Sequence, residues 1–299
     1  MRGTRLWLPS GQLFTGAPKR CKFDAMNGRW GGLPLGLLAV ACAPALSSFE
    51  PAHVPEVGHV QAEIGTDVSV SFGSVNSIVR ASETLDKAAS QRMLSDDEKR
   101  AILVGGANLG LDPPAVIPHL GVAYSPLEHW ELGLRFAASG WRVGVRRQLL
   151  EQHSSAVDFT IGIGFGRAIF DPPIHRVLDT LTVTDFSRWA LDFPITVGQH
   201  GSWYRWWAGP RFLYAHTAQS MALRLPADDV TVTGSMSGHA LYVGGYAGLA
   251  FGYRSVFLGP EFTVAKLFGS ANVQALGTSV DLDIGSVVLY PALAVMGEF

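Results

Sequence analysis

The chain is poor in cysteine and in charge. Two cysteines in 299 residues give no disulfide framework, and no Cys/His cluster has the spacing of a zinc site. Charged residues make up 16% of the sequence and leave a net charge of -2, with no basic stripe, which excludes nucleic acid as a partner. Beyond residue 45 there is no run of about 20 apolar residues, so no membrane-spanning helix is expected. H-E-x-x-H is missing, and "GSMSG" at 234–238 has Met236 where G-x-S-x-G needs its serine. The expectation is therefore a non-enzyme that needs no cofactor and no metal.

A phosphate-binding loop is excluded as well. In "VDFTIGIGFGRAIF" the glycines 162, 164 and 166 keep a period of two, whereas a dinucleotide fingerprint needs G-x-G-x-x-G at a strand-to-helix turn. The stretch instead places Val157, Phe159, Ile161, Ile163 and Phe165 on one face, and Asp158, Thr160 and the three glycines on the other. That is a strand with one apolar side and one small or polar side.

What the chain has in abundance is apolar residues (47%) and glycine (34). The apolar residues fall in two kinds of segment. The first is "MNGRWGGLPLGLLAVACAPALSS", with Arg29 before a short apolar run and then small residues, which reads as a signal peptide over 26–45. Residues 1–25 then read as an extension from an upstream start, and 46–57 as a periplasmic linker to a single domain over 58–299. "LAVAC" is similar to a lipobox with Cys42 as the lipid-attachment residue; cleavage after Ala45 at an A-x-A site is the alternative.

The second kind is alternating. Segments near 59–72, 115–124, 130–138, 141–150, 157–167, 188–198, 203–217, 238–253, 255–267 and 285–299 each separate an apolar from a polar face. Most have the roughly 9–11 residues of a tilted transmembrane strand. An antiparallel barrel of about ten strands follows, with 8 to 12 possible, because in lipid only helices and closed barrels satisfy every backbone group. The connections at 125–129, 151–156, 199–202 and 254 are short, and those at 73–114, 168–187, 218–237 and 268–284 are long, the asymmetry of periplasmic turns against outer loops. The pair Ser139–Gly140 is the one tight outer turn.

The chain resembles a Gram-negative outer-membrane β-barrel protein over about 56–299. The resemblance rests on the alternation, on the aromatic strand ends Tyr124, Trp130, Trp141, Trp189, Tyr204 and Tyr253, and on "SVVLYPALAVMGEF". The last is similar to the C-terminal signal, here Phe299, read by the barrel-assembly machinery; Gly297 and Pro291 depart from the pattern. The resemblance implies location in the bacterial outer membrane, with outer-membrane lipid and the assembly machinery as partners and an extracellular ligand that the sequence does not name. A soluble secreted lipocalin-like barrel, its apolar faces inward, is the distant alternative.

Strand parity assigns the charges. Glu63, Asp67, Glu131, Arg135, Arg142, Arg146, Asp158, Asp192, Arg205, Arg211 and Glu261 all fall on the inner face, with Glu298 and His119 beside them. Arg147 and Lys266 point outward near strand ends, where their long stems reach water. Glycine recurs on the inner face, as expected for a narrow lumen crowded by large side chains. Cross-barrel ion pairs are expected, Arg211 with Glu261 among them. Pro194, Pro210, Pro260 and Pro291 lie inside strands and call for bulges. In the first long loop, "SDDEKRAIL" has a capping box, Ser95 with Glu98, and predicts a short helix that covers or enters the mouth. Asp228, Asp229 and His239 lie at the outer rim, the place of the catalytic residues of outer-membrane proteases. The functional expectation is a plugged structural or surface-interaction barrel, the alternative a small passive pore.

Overall fold

The computed structural model describes residues 46–88, 95–137, 140–168, 181–225, 230–275 and 278–299. Among these residues ten strands and three helices follow one another: β1 (Val60–Ser71), α1 (Phe72–Ala88), α2 (Asp96–Leu111), β2 (Ala115–Leu127), β3 (Trp130–Ala137), β4 (Gly140–Leu150), α3 (Gln152–Ser155), β5 (Asp158–Ala168), β6 (Leu181–His200), β7 (Tyr204–Leu225), β8 (Val230–Tyr253), β9 (Val256–Ala275) and β10 (Thr278–Glu298). All neighbours pair antiparallel, and β1 closes the barrel on β10. At that seam Val60 and Phe299 exchange both backbone hydrogen bonds, at 2.8 and 2.9 Å.

One end carries tight turns. His129, Ala156 and Arg254 adopt left-handed φ values of 65°, 64° and 57° there, each inside a connection too short for an unstrained route. At the other end the wall is uneven. Strands β2 to β5 have 8 to 13 residues, whereas β6 to β10 have 20 to 24.

The long strands correct the expected loops. Most of 218–237 and 268–284 is strand, and only 226–229 and 276–277 separate the hairpin partners. The hydrophobic phase inverts, which hid them. In β10 the odd residues Val287, Leu293 and Val295 are apolar and point outward, whereas above residue 285 the even residues Leu282 and Ile284 are apolar and buried, with Asp281 and Asp283 outside. Strand β9 does the same: Leu258, Phe262, Val264 and Phe268 face out, then Ala271 and Val273 face in while Ser270 and Gln274 face out.

The outward apolar band has bilayer dimensions. From Leu258 to Phe268 it covers ten residue steps, about 33 Å along the strand and about 25 Å of height at a tilt of about 40°. Aromatic pairs bracket it: Trp203 stacks on Phe251 at 5.9 Å at the short-turn end, and Trp189 meets Tyr214 at 5.4 Å at the other. Closure without an edge, this band and the short turns make the architecture that of a bacterial outer-membrane barrel. The soluble alternative required apolar faces inward; Ile64, Leu258 and Phe262 are outward and more than half exposed.

The four prolines expected to call for bulges do not bring them. Register irregularities fall at Tyr124/Leu127, where Pro126 lies, and at Gln148/Leu150 and Thr184/Ser187, while the ladders keep their register past Pro194, Pro210, Pro260 and Pro291. Each proline forgoes one ladder donor while its neighbours hold the pairing. In "WAGPRF" and "FLGPEF" the preceding Gly209 and Gly259 press so closely on the carbonyls of Ile195 and Leu249 that a Cβ would not fit. Lys266 is also placed differently from expectation, because β9 runs nine residues past it to Ala275; its ammonium lies 4.9 Å from the Phe268 ring.

Where one short helix was expected, the first connection builds a hairpin of two. Phe72, expected to end a strand, begins α1. Ser286 of β10 accepts the Gly73 amide at 2.9 Å, satisfying a first-turn donor that the helix cannot. Gly105 of α2 lies against Ala81 of α1, close enough to leave no room for a side chain. Ile78, Ala107 and Leu111 bury against Met236, Leu267, Val273, Leu282 and Ile284 of the tall wall. Helix α2 has no basic residue in its last turn, and Arg188 of β6 supplies one: Nη2 donates to the carbonyls of Gly110 and Leu111 at 2.5 and 2.6 Å, and Tyr242 donates to Leu111 at 3.2 Å. Ser95 immediately precedes α2, as a capping residue should; the Glu98 side chain lies outside the described ones.

Candidate functional site

The lumen holds the charged residues, and it is occupied. Residues 46–54, expected as part of a periplasmic linker, run inside the barrel from mid-lumen to the short-turn end, without helix or strand pairing and with a left-handed φ of 47° at Phe49. Leu46, Ser47, Ser48, Phe49, Ala52 and His53 are buried there. The physical reason is the wall chemistry: a segment outside any helix or sheet brings unpaired amides and carbonyls, and the lumen is lined with groups that bond them.

The contacts follow the segment residue by residue. Arg211 and Thr263 donate to the Leu46 carbonyl. Arg135 donates to the Ser47 carbonyl and, at 2.9 Å, to its hydroxyl. Glu261 accepts the amides of Ser48 at 2.7 Å and Phe49 at 3.0 Å, and also the Trp207 indole N–H at 2.7 Å. The Phe49 ring lies between His119, 5.5 Å away, and Trp207, 6.2 Å away. Glu50 pairs with Arg142 at 2.7 Å. Arg146 donates to the carbonyls of Pro51 and His53, and Gln148 accepts the Val54 amide at 2.7 Å.

The wall groups are also tied to one another. Arg146 grips Glu131 through two bonds of 2.7 Å, and Arg211 grips Asp192 through bonds of 3.0 and 2.6 Å. Arg142 adds a second cation to Asp192 at 2.8 Å. Arg135 lies 3.1 Å from Glu63 and 3.5 Å from Asp67, which in turn lies 3.1 Å from His119. The pair expected between Arg211 and Glu261 does not form. Leu46 to Phe49 run between them, and each binds the segment's backbone instead.

At the short-turn end, Arg205 and His53 share Glu298 at 2.5 and 3.2 Å, and Arg205 covers the Phe257 ring at 3.9 Å. His53 stacks on His200 with centroids 4.5 Å apart. Burial, helped by Arg205 and His200 against Glu298, pulls the His53 imidazole down to about 4. Asp158 lies apart from the central network: it accepts from Gln148 at 2.8 Å, from the Gln152 amide at 2.9 Å and pairs with His200 at 2.7 Å, so it fastens the turn around α3. Beyond the charged zone, burial pushes Asp112, just past α2, up to about 6 against Ser71 and Arg188.

All eleven sequence-assigned lumen charges are on the inner face, ten of them in this network and Asp158 at its rim. Glycine makes space for the larger members: a side chain at Gly248 would strike the Trp207 ring, and one at Gly164 the Arg142 guanidinium. Beside Phe49 and Glu50 a cavity of about 40 Å³ remains, bordered by Glu63, Glu131, Arg135 and Arg142, which is room for a few waters. Sequence reasoning missed the segment itself, because "LSSFEPAHV" has no periodicity to read. Its one signal is a single aromatic–acid pair.

Other sequence candidates lie elsewhere. His239 points away from the lumen and meets the Ser270 hydroxyl at 3.1 Å; Asp228 and Asp229 lie outside the described residues. So do Cys42, the expected signal peptide and Ser139. Phe299 is 68% exposed at the seam. No cluster of metal-ligating side chains occurs among the described residues.

No family model matches the chain, and no curated protein matches it. Among solved structures it is similar to Ail, the attachment invasion locus protein of Yersinia pestis, at 12% identity and a TM-score of 0.28, covering 82% of this chain and 100% of that one. A major outer membrane protein from Thermus thermophilus is 9% identical with a TM-score of 0.32, covering 80% and 99%. The N-terminal β-barrel domain of Pseudomonas aeruginosa OprF is 10% identical with a TM-score of 0.23, covering 81% and 98%.

Proposed function

We propose that the protein is an integral outer-membrane barrel of the surface-interaction type, with a sealed lumen. One observation carries this reading: the lumen is filled from both ends. Residues 46–54 fill it from the short-turn side, α1 and α2 fill the tall side, and Leu46 and Leu111 belong to one continuous buried cluster. A conducting barrel needs a wet path, and the cavity beside Phe49 and Glu50, about 40 Å³, has room for a few waters alone.

The tall wall supports the surface role. Strands β6 to β10 continue beyond the apolar band with polar side chains outside and a helix hairpin packed within, so they present a rigid surface beyond the bilayer. The test is electrical. Purified full-length protein in planar bilayers is expected to give no discrete conductance steps, while unheated and boiled samples differ in gel mobility as closed barrels do. Regular steps from folded protein would sink the sealed reading and put the passive pore in its place.

A further inference from the structure

The contacts on residues 46–54 are unusual in kind, because they fall mostly on main chain. Arg211, Arg135 and Arg146 donate to the carbonyls of Leu46, Ser47, Pro51 and His53; Glu261 takes two consecutive amides, and Gln148 takes a third. A wall evolved only to fill space would present apolar surface. This one presents donors and acceptors matched to a backbone that turns at Phe49, where a left-handed φ of 47° points two consecutive amides at one carboxylate.

The wall groups also have partners among themselves. Arg146 pairs with Glu131, Arg211 with Asp192, and Arg135 with Glu63 and Asp67, in addition to their bonds to the segment. Glu261 alone depends on the segment for two of its three donors. Side chains are read as well: the Ser47 hydroxyl by Arg135, the Phe49 ring between His119 and Trp207, Glu50 by Arg142, and His53 by Glu298 and His200; of these the neighbours Phe49 and Glu50 lie deepest in the charged network. The tether to β1 is short, and Glu56, Val57 and Gly58 within it are exposed.

We propose that the lumen is a polypeptide-binding site, with residues 46–54 as its tethered ligand, and that it accepts in trans a peptide of the same bent backbone path, carrying an aromatic residue followed by an acidic one. Tethering gives such a ligand an effective concentration in the millimolar range, so even modest intrinsic affinity keeps the site filled. Separating the two should therefore expose a measurable, exchangeable equilibrium. The inference stands on the lumen geometry and is independent of what the tall wall contacts.

The test uses the full chain with a protease site placed at Glu56–Gly58, folded first and cut afterwards. A fluorescent peptide of sequence LSSFEPAHV is then added, and gel mobility reports that the barrel is still closed. Saturable uptake is expected, at least about 100-fold weaker for a Phe49→Ala peptide, from the loss of a buried phenyl ring. For a Glu50→Gln peptide about tenfold weaker binding is expected, from the loss of a charge-assisted bond. A closed barrel that takes up no peptide, keeps its cut segment without exchange, or binds the Phe49→Ala peptide equally well overturns the proposal. If the inserted site prevents folding, hydrogen exchange on the uncut chain decides. Phe49→Ala should strip protection from the Ser48 and Phe49 amides while the amides of β7 to β9 stay protected. Unchanged protection at Ser48 and Phe49, or loss spread over the strands, rejects it.

Discussion

The lower and upper halves of this barrel solve the same problem with opposite polarity. In the lower half the wall is apolar outside, at Val264 and Phe262, and charged inside, at Arg146, Asp192 and Glu261. In the upper half of β6 to β10 it is polar outside, at Asp281 and Asp283, and apolar inside, at Met236, Val273 and Ile284. The strands are continuous across the change, so backbone hydrogen bonding cannot account for it. Polarity follows the medium: hydrocarbon outside the lower half, water outside the upper.

The contrast is sharpest where a buried charge is broken. Arg146→Met would leave Glu131, 3% exposed, without its cation and release the Pro51 and His53 carbonyls. It should cost about 3–5 kcal/mol, measured as a shift of the urea midpoint in vesicles. The next test is on the outer face of a single strand. Val264→Arg, in mid-band, should cost about 2–4 kcal/mol, whereas Asn272→Arg, eight residues further up the same face of β9, should stay within about 0.5 kcal/mol. Equal costs at the two sites would mean that the band boundary is drawn in the wrong place.

Acid should act on the two halves with opposite signs. His53, near 4 in the folded protein against an ordinary 6.5, binds fewer protons folded than unfolded between those values. Its contribution is present above pH 6.5 and falls away toward pH 4, on the order of 2 kcal/mol lost by pH 5. Asp112, near 6 against an ordinary 3.8, binds more protons folded than unfolded, so protonation relieves a buried charge in the upper half as pH falls from 6 to 4. Hydrogen exchange at pH 5 against pH 7 should show the Phe49 amide loosening while the Asp112 amide, bonded to Asn108 at 2.9 Å, tightens. The smallest effect belongs to packing alone: Ile284→Val, under the helices, should cost about 0.5–1.5 kcal/mol.

Legibility in the sequence divides along the same line. The lower half was readable because alternation with apolar residues outward needs only parity, and parity also put the eleven charges on the inner face. It could not name their partners. Arg211 and Glu261 lie on the same side of the wall, yet Leu46 to Phe49 come between them. The upper half alternates as regularly, but Leu282 and Ile284 are out of phase with Val287 and Val295, so a search for one continuous face ends at the flip. Helix α1 escaped because the alternation of β1 continues through Phe72, and the group that receives its Gly73 amide, Ser286, lies 213 residues away.

The flip at residues 269–270 of β9 and 285–286 of β10 also works as a waterline. A barrel that sank by one residue pair would push Ser270 and Asp283 toward hydrocarbon, and one that rose would lift Phe268 and Val287 into water. Either displacement carries a penalty repeated around β6 to β10, so the molecule floats at one depth. The height at which its upper wall stands above the lipid surface is thus set by the sequence of the wall itself.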